Sequence, residues 1–255
     1  MSDAAVVTEA RDGVLLVTLN RPEQRNAVNR AVAEGIAAAL DRLDADDALR
    51  VGVLAGAGKG FCAGMDLKAF VAGEKPLVEG RGFAGIVQRP AEKPLIAAVE
   101  GFAVAGGFEI ALACDLIVAA RGARFGIPEV KRGLVAAGGA LLRLPRRIPY
   151  HLAMELALTG DLVDAERAYD AGLVSRLVEP GAAVDAALEL AAQIAANAPL
   201  ALAASKRILV EAPSWPAGEL WERQAQISDP VRASQDAREG SLAFAEKRAP
   251  SWQGR

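Results

Sequence analysis

The chain has 255 residues, of which 52% are hydrophobic and 24% charged, and its formal net charge at pH 7 is −3. This length and composition allow one large globular core, and they exclude extensive disorder. Lys and Arg are scattered, no apolar run reaches about 18 residues and no leader pattern is visible, so we expect a cytoplasmic protein that binds neither nucleic acid nor membranes.

The first part of the chain alternates short β-like runs with longer helical runs. Residues 14–19 and 51–54 are apolar runs typical of buried strands, and residues 28–43 between them carry apolar side chains at helical spacing. Two more strands are predicted at residues 95–99 and 116–119. This order of strand, helix and strand predicts an α/β fold with a crossover-connected sheet.

Helical patterns dominate after about residue 139. From about residue 198 onward every segment is predicted as helix or loop, and all three tryptophans lie there, at Trp215, Trp221 and Trp252. We therefore divide the chain into a core of residues 1–197 and a helical region of residues 198–255. Such a region packs either on a neighbouring subunit or within its own chain. The remaining predictions are helices at 150–158, 164–171, 182–196 and 200–210, a strand at 174–178, and a mobile loop with a short helix at 71–89.

The glycine-rich segment Gly56-Ala-Gly-Lys-Gly60 fits neither common nucleotide motif. A P-loop needs a glycine where Val53 stands and a hydroxyl side chain where Gly60 stands. A dinucleotide fingerprint needs a third glycine at position 61, which is Phe61. The segment is predicted as a turn after a strand.

Two later loops have the composition of backbone anion sites. In Phe61-Cys-Ala-Gly-Met-Asp-Leu67 a strand is followed by small residues and by a helix predicted to begin near Asp66. The segment Ala105-Gly-Gly107 follows the strand at 95–99 and precedes an apolar helix. N–H groups near a helix start bind negative charge, and two such loops together could form an oxyanion hole.

Two glutamates follow these loops, and each also has a purely structural interpretation. Glu109 lies between Phe108 and Ile110 in a stretch without any basic residue, so it either serves the start of its own helix or carries out chemistry. Glu129, after Pro128, would ordinarily be a solvated residue at a helix start. With Cys62, Cys114 and the single His151, the chain offers neither a metal-binding spacing nor an ordinary Ser-His-Asp triad.

Several motifs together resemble the crotonase, or enoyl-CoA hydratase-isomerase, superfamily, over essentially the whole chain. They are Leu19-Asn-Arg-Pro22, Arg25-Asn-Ala27, Phe61 to Leu67, Ala105-Gly-Gly-Phe-Glu109, Phe125-Gly-Ile-Pro-Glu129 and Leu242 to Pro250. The resemblance implies a crotonase-like (ClpP/crotonase) spiral of ββα units with a C-terminal helical trimerisation region. It also implies an acyl-CoA thioester substrate, a homotrimer or dimer of trimers, and no metal or redox cofactor, because coenzyme A is part of the substrate.

The same resemblance assigns the site residues. The two oxyanion-hole donors fall on Ala63 and Gly106, while Glu109 is expected to activate water and Glu129 to exchange the proton at C2. Lys68 is expected near the adenine and pantetheine contacts of coenzyme A, and Lys247 or Arg248 of an adjacent subunit is expected to reach a phosphate. The implied contacts with coenzyme A and substrate are Arg25, Ala27, Ala63, Gly64, Met65, Asp66, Leu67 and Gly106.

The chain also departs from the commonest pattern of the superfamily. Ala105 replaces the first glycine of a frequent Gly-Gly-Gly, Ala136-Ala137 replace Pro-Gly, and Met65 stands where alanine is widespread. These changes leave the acyl-chain preference open. Enoyl-CoA hydratase is the leading hypothesis, a carnitinyl-CoA-type dehydratase or an enoyl-CoA isomerase are close rivals, and a catalytically inactive acyl-CoA-binding subunit is the non-enzymatic alternative.

Overall fold

The computed structural model describes residues 4–255 as an α/β structure. The strands of this part of the chain are β1 (Val6–Arg11), β2 (Val14–Leu19), β3 (Val51–Gly56), β4 (Leu77–Val78), β5 (Gly82–Phe83), β6 (Leu95–Val99), β7 (Phe102–Val104), β8 (Leu116–Ala120), β9 (Arg124–Gly126), β10 (Val163–Asp164) and β11 (Arg176–Val178). The α-helices are α1 (Arg30–Ala45), α2 (Leu67–Val71), α3 (Gly106–Ala113), α4 (Ala140–Arg147), α5 (Tyr150–Thr159), α6 (Ala165–Asp170), α7 (Ala183–Ala195), α8 (Pro199–Glu211), α9 (Leu220–Arg232) and α10 (Gln235–Glu246).

The central sheet has six strands in the order β1-β2-β3-β6-β8-β11. Only the β1–β2 pair is antiparallel; the other pairs are parallel and are joined by helical crossovers. Parallel strands covered on both faces are typically continuous apolar runs, and all five residues of β6 are buried. A second, smaller sheet of β10-β9-β7 lies beside it and leads into α3 and the turn that carries Glu129.

Alternate residues of the central strands point to opposite faces of the sheet. Val51 and Val53 of β3 belong to one cluster, which also contains Ala187 and Ala191 of α7. Leu54 of the same strand belongs to the other, larger cluster, with residues of α1 and α3. This two-residue period follows from strand geometry. Every residue of α3 is buried.

The strands and helices predicted for the core are present, with ends that differ by a few residues. The principal omission is α4, a short helix with Pro145 inside it, which does not have the long apolar period that favours a helix prediction. The prediction of a mobile loop at 71–89 is wrong in part. Its short helix, α2, ends at Val71, and the apolar side chains of Ile86 and Val87 are buried in the main core cluster.

The C-terminal helices expose much of their apolar surface. Neither α8 nor α9 contains a fully buried residue, and Trp221 and Phe244 are 80% and 87% exposed. Buried Asp236 anchors the end of the chain by accepting hydrogen bonds from the Gln253 and Gly254 N–H groups at 2.7 and 2.9 Å. Within residues 4–255, no single helix is long and apolar enough to span a membrane, although the bent pair of α7 with residues 199–214 passes that test together.

Candidate active site

Glu109 is the fourth residue of α3 and is only 4% exposed. Its Oε1 accepts a hydrogen bond from the Ala140 N–H at 3.2 Å. Ala140 is the first residue of α4, so the carboxylate occupies the positive end of a second helix rather than serving the start of its own. This helix terminus gives the buried carboxylate a partner that the local sequence does not contain.

The surroundings of Glu109 place its ionisation near neutral pH. Burial raises the pKa of Glu109 to about 7, and the negative charge of Glu129 adds to the rise. The backbone N–H groups of Ala140 and Gly138 and the positive charge of Arg143 oppose it. A carboxyl group that titrates near the working pH can act both as a proton acceptor and as a proton donor.

Glu129 lies in the 3-10 helix Pro128–Arg132, and it is not the solvated residue that its position after a proline suggested. Its Oε2 atom is buried and has no hydrogen-bond partner within the described chain. Burial raises the pKa of Glu129, although its own backbone N–H and the charge of Arg132 act against the rise. A buried carboxylate oxygen without a partner is costly, and this cost is typical of functional positions.

The two donor loops lie side by side. A Cβ placed on Gly64 would lie 3.0 Å from the Gly106 nitrogen, so the backbones are in contact. The Val28 N–H donates to the Gly64 carbonyl and the Asp66 N–H donates to the Val28 carbonyl, at 2.8 and 2.9 Å. In this parallel pairing the N–H of the intervening Met65 points away from Val28. Neither the Met65 N–H nor the Gly106 N–H has an acceptor among residues 4–255.

The predicted assignment of Ala63 as an oxyanion donor does not fit this geometry. The Ala63 N–H donates to the Arg25 carbonyl at 3.0 Å, so it is already used to hold its loop against the Arg25-Asn-Ala27 segment. The free donor of this loop is two residues further along, at Met65, which the sequence indicated only as a substrate contact. Residue type could not distinguish the two positions, because the direction of an N–H depends on strand pairing.

Phe83, which the sequence analysis did not identify, forms a wall beside the Gly106 donor. A Cβ on Gly106 would lie 2.6 Å from two atoms of the Phe83 ring, so only glycine fits against this ring. The preceding residue, Ala105, has φ +52° and ψ −130°, a conformation that residues other than glycine rarely adopt. The donor therefore lies in a crowded and locally strained turn.

The segment predicted to contact coenzyme A packs directly on the donor loop. Arg21 donates to the Asp66 carboxylate at 3.0 Å, and the N–H groups of Lys68 and Ala69 donate to the same side chain at 3.1 and 3.2 Å, so Asp66 caps α2 as predicted. Burial would raise the pKa of Asp66, but these hydrogen bonds and the charge of Arg21 lower it. The predicted contacts thus lie near one another in the fold: Arg25, Ala27, Ala63, Gly64, Met65, Asp66, Leu67 and Gly106. The tail residues Lys247 and Arg248 follow the last residue of α10.

The cations predicted near coenzyme A differ in whether they are already paired with carboxylates of the same chain. Arg248 is bound within its own chain by the carboxylates of Glu239 and Glu246, at 2.6 and 2.7 Å. Lys68 and Lys247 make no ion pair within the described part of the chain. No group of three or more His, Cys, Asp or Glu side chains in residues 4–255 is arranged to hold a metal ion.

Comparison with known proteins gives close matches over the whole chain. A family model described as Enoyl-CoA hydratase/isomerase matches residues 9–255. The enoyl-CoA hydratase EchA19 of Mycobacterium tuberculosis is 45% identical, over 98% of this chain and 96% of its own. The carnitinyl-CoA dehydratase of Proteus mirabilis is 40% identical, over 96% of this chain and 97% of its own. The solved structure of enoyl-CoA hydratase EchA1 from Mycobacterium marinum is 60% identical and superposes with a TM-score of 0.98, covering 99% of this chain and 100% of that one.

Proposed function

Because the chain belongs to the enoyl-CoA hydratase/isomerase family, a family that acts on acyl-CoA thioesters, we propose that it adds water reversibly across the C2=C3 bond of a trans-2-enoyl-CoA. The crotonase fold expected from its motifs is confirmed. One observation carries the assignment: a buried glutamate with a pKa of about 7 lies in the first turn of α3, close to two free N–H donors, Gly106 at the start of the same helix and Met65 in the adjacent loop.

The two free donors are suited to the charge that develops on the thioester oxygen. When the oxygen of water adds to C3, electron density moves through C2 to the carbonyl oxygen of the thioester, which becomes enolate-like. The N–H groups of Met65 and Gly106 would stabilise this charge without reorganising, and each donor of this kind contributes about 3 kcal/mol to transition-state stabilisation. We therefore place the second donor at Met65 rather than at Ala63.

The two glutamates supply the proton transfers. Ionised Glu109 would accept a proton from water as the water oxygen bonds to C3, and protonated Glu129 would donate a proton to C2. Dehydration reverses both transfers. The reaction needs one carboxyl group ionised while the other is protonated. Burial raises the pKa of both groups and so favours a proton on one of them. All chemical steps in this proposal use groups of the chain and the substrate, and no cofactor is required.

We propose a cytoplasmic homotrimer or dimer of trimers, and the exposed apolar side chains of the C-terminal helices support the assembly. Trp221 and Phe244 are far more exposed than aromatic residues in a stable monomer usually are. Sedimentation equilibrium of the purified protein measures the assembly directly. A monomer at micromolar concentration would contradict this part of the proposal.

Incubation with crotonyl-CoA and longer enoyl-CoAs tests the activity. The ultraviolet absorbance of the conjugated enoyl thioester should fall, and Glu109→Gln should reduce the rate by at least about 100-fold. Glu155→Gln, which alters an exposed carboxylate paired with Arg167, should leave the rate unchanged. If no chain length loses absorbance although calorimetry detects binding of CoA esters, the chain is an acyl-CoA-binding subunit and not a hydratase.

Carnitinyl-CoA dehydration is the second candidate, favoured by a relative of that name with 40% identity over nearly the full length. Its substrate carries a quaternary ammonium group, so it needs an acyl pocket that accepts a cation. Dehydration of either carnitinyl-CoA or 3-hydroxybutyryl-CoA increases the absorbance of the conjugated thioester. The rates of this increase, measured side by side, rank the two substrates. A 3-enoyl-CoA added to the same assay tests for isomerase activity.

A further inference from the structure

Arg143 is a half-buried cation that makes no ion pair within residues 4–255. It belongs to the first turn of α4, and its guanidinium donates only to carbonyls, to Val87 O at 2.5 Å and to Gly138 O at 3.4 Å. Burial lowers the pKa of Arg143, which means that its charge is retained at a cost. Buried arginines usually pair with carboxylates, so two neutral partners do not by themselves explain this one.

One partner of Arg143, Gly138, belongs to the loop of residues 133–139, which contacts the Glu109 carboxylate and which we call the Glu109 loop. Gly138 lies against the Glu109 carboxylate, and a Cβ at position 138 would lie 2.7 Å from its Cδ atom. At Gly139, with φ +102°, a Cβ would collide with the guanidinium of Arg143. Both glycines are therefore needed, one to make room for the carboxylate and the other to make room for the cation.

The other partner, Val87, belongs to the turn of residues 83–87, which we call the Phe83 turn. The N–H groups of Ile86 and Val87 both donate to the Phe83 carbonyl at 3.3 Å, which closes a helical turn. Arg143 binds the carbonyl at the end of this turn, and the Phe83 ring at its start packs against Gly106. A single guanidinium thus connects the Glu109 loop to the wall beside the oxyanion donor.

The charges around this connection are few. Besides burial, the pKa of Glu109 responds to the charges of Glu129 and Arg143 and to the N–H groups of Ala140 and Gly138. Besides burial, the pKa of Arg143 responds to Arg147, Glu109 and Cys114. Since burial raises the pKa of Cys114 to about 12, that thiol is neutral, and Glu109 is the carboxylate whose charge acts on Arg143.

We propose that Arg143 is a positioning residue: it fixes the Glu109 loop through Gly138 and the Phe83 turn through Val87, and its charge keeps the ionised form of Glu109 accessible. The kinetic consequences rest on the hydratase function proposed above, whereas the effect on the ionisation of Glu109 does not depend on any activity. The two parts can therefore be tested separately.

Three variants separate the charge of Arg143 from its bridging contacts. Arg143→Gln removes the charge and Arg143→Lys keeps it, but neither side chain has the planar fork with which the guanidinium reaches Gly138 O and Val87 O from two separate nitrogens. Arg147→Gln is the control, because Arg147 is a cation on the same helix that donates to the Cys114 carbonyl at 3.3 Å and is influenced by the charge of Asp115 instead of that of Glu109. The readouts are the pH profile of kcat/KM, KM for an enoyl-CoA, and carboxyl carbon NMR titration of Glu109, assigned by its absence in Glu109→Gln.

In Arg143→Gln, the acid limb of kcat/KM and the NMR midpoint of Glu109 should both move to higher pH, because an attractive charge is lost. Arg143→Lys should keep both near the parent values while KM rises by roughly tenfold, because the Phe83 turn is released. Arg147→Gln should move neither.

An unmoved Glu109 titration in folded Arg143→Gln, or an equal shift in Arg147→Gln, overturns the proposal. If Arg143→Gln does not fold, Arg143→Lys decides alone, since an unchanged KM or a limb shifted by a full unit contradicts the separation of the two roles. A parent protein without turnover refutes the proposed hydratase function and leaves the NMR comparison to decide the role of Arg143.

Discussion

The Glu109 carboxylate and the Ala140 N–H, 31 residues apart in the sequence, are joined by a hydrogen bond of 3.2 Å. Glu109 lies on α3 and Ala140 begins α4, so one helix presents the anion and the other presents its positive terminus. This relationship lets a carboxylate remain inside an apolar core. It satisfies one carboxylate oxygen without an ion pair, which leaves the pKa of the group raised instead of lowered.

The raised pKa of Glu109 predicts that Glu109→Gln stabilises the protein at high pH. Below about pH 4.5 the carboxyl group is protonated in both states, and as the pH rises through about 7 the folded state loses the stability that the protonated form had provided. The glutamine variant avoids this loss, so its free energy of unfolding at pH 8 should exceed that of the parent by up to about 3 kcal/mol.

Urea unfolding of both proteins at pH 5 and pH 8 measures this difference. The gain should shrink at pH 5, and Glu155→Gln should show no such pH dependence because that carboxylate is exposed. An identical gain at both pH values would mean that the stabilisation comes from packing and not from ionisation.

Gly106→Ala should abolish most of the activity through a collision with Phe83. The added Cβ would lie 2.6 Å from the ring, so either the ring or the Gly106 N–H must move, and misplacing one oxyanion donor costs about 3 kcal/mol of transition-state stabilisation. Adding Phe83→Leu to Gly106→Ala should restore part of kcat, because the smaller side chain leaves room for the methyl group. If Phe83→Leu brings no recovery in the double variant, the ring is not the cause of the loss.

Ala105→Gly should increase stability. Ala105 adopts a positive φ beside the donor, where a side chain is strained and glycine is not, and the relief should add about 1 kcal/mol to the free energy of unfolding. Ala103→Gly in β7 is the control, because its φ is not positive and glycine there should destabilise the strand by a similar amount. Equal destabilisation by both changes would refute the claim of strain at position 105.

Asn26→Gly should destabilise the contact between the predicted coenzyme A segment and the neighbouring loop. The Asn26 side chain is buried, accepts from the Arg21 N–H at 3.0 Å, and donates to the carbonyls of Ala57 and Gly60 at 2.9 and 2.8 Å. Glycine keeps the positive φ and removes all three bonds, which should cost about 2–3 kcal/mol.

The comparison for Asn26→Gly is Asn29→Ala, which removes only the cap of α1 and should cost about 1 kcal/mol. Both losses are measured by chemical unfolding. Weaker binding of CoA esters is expected for the Asn26 variant alone, and equal affinity in the two variants would argue against a role of this segment in the substrate site.

The predictions from sequence succeeded where a property is carried by local pattern. Apolar runs located the strands of the central sheet, and the cap at Asp66 followed from residue type and spacing. They failed where a property depends on distant contacts. The helix α4 was missed because it is short and contains Pro145, and the segment around Ile86 looked polar although it enters the core. Phe83 gave no local signal, since its importance comes from its contact with Gly106.

The sequence by itself determined the family, the α/β class and the identity of the two candidate glutamates, because motifs and apolar periods are properties of residue order. Only the tertiary structure decided that the free donor is at Met65 and not at Ala63, that Ala140 is the partner of Glu109, and that Arg143 connects their surroundings. The direction of an N–H group and the neighbours of a buried charge are set by strand pairing and helix packing, and these join residues that are far apart along the chain.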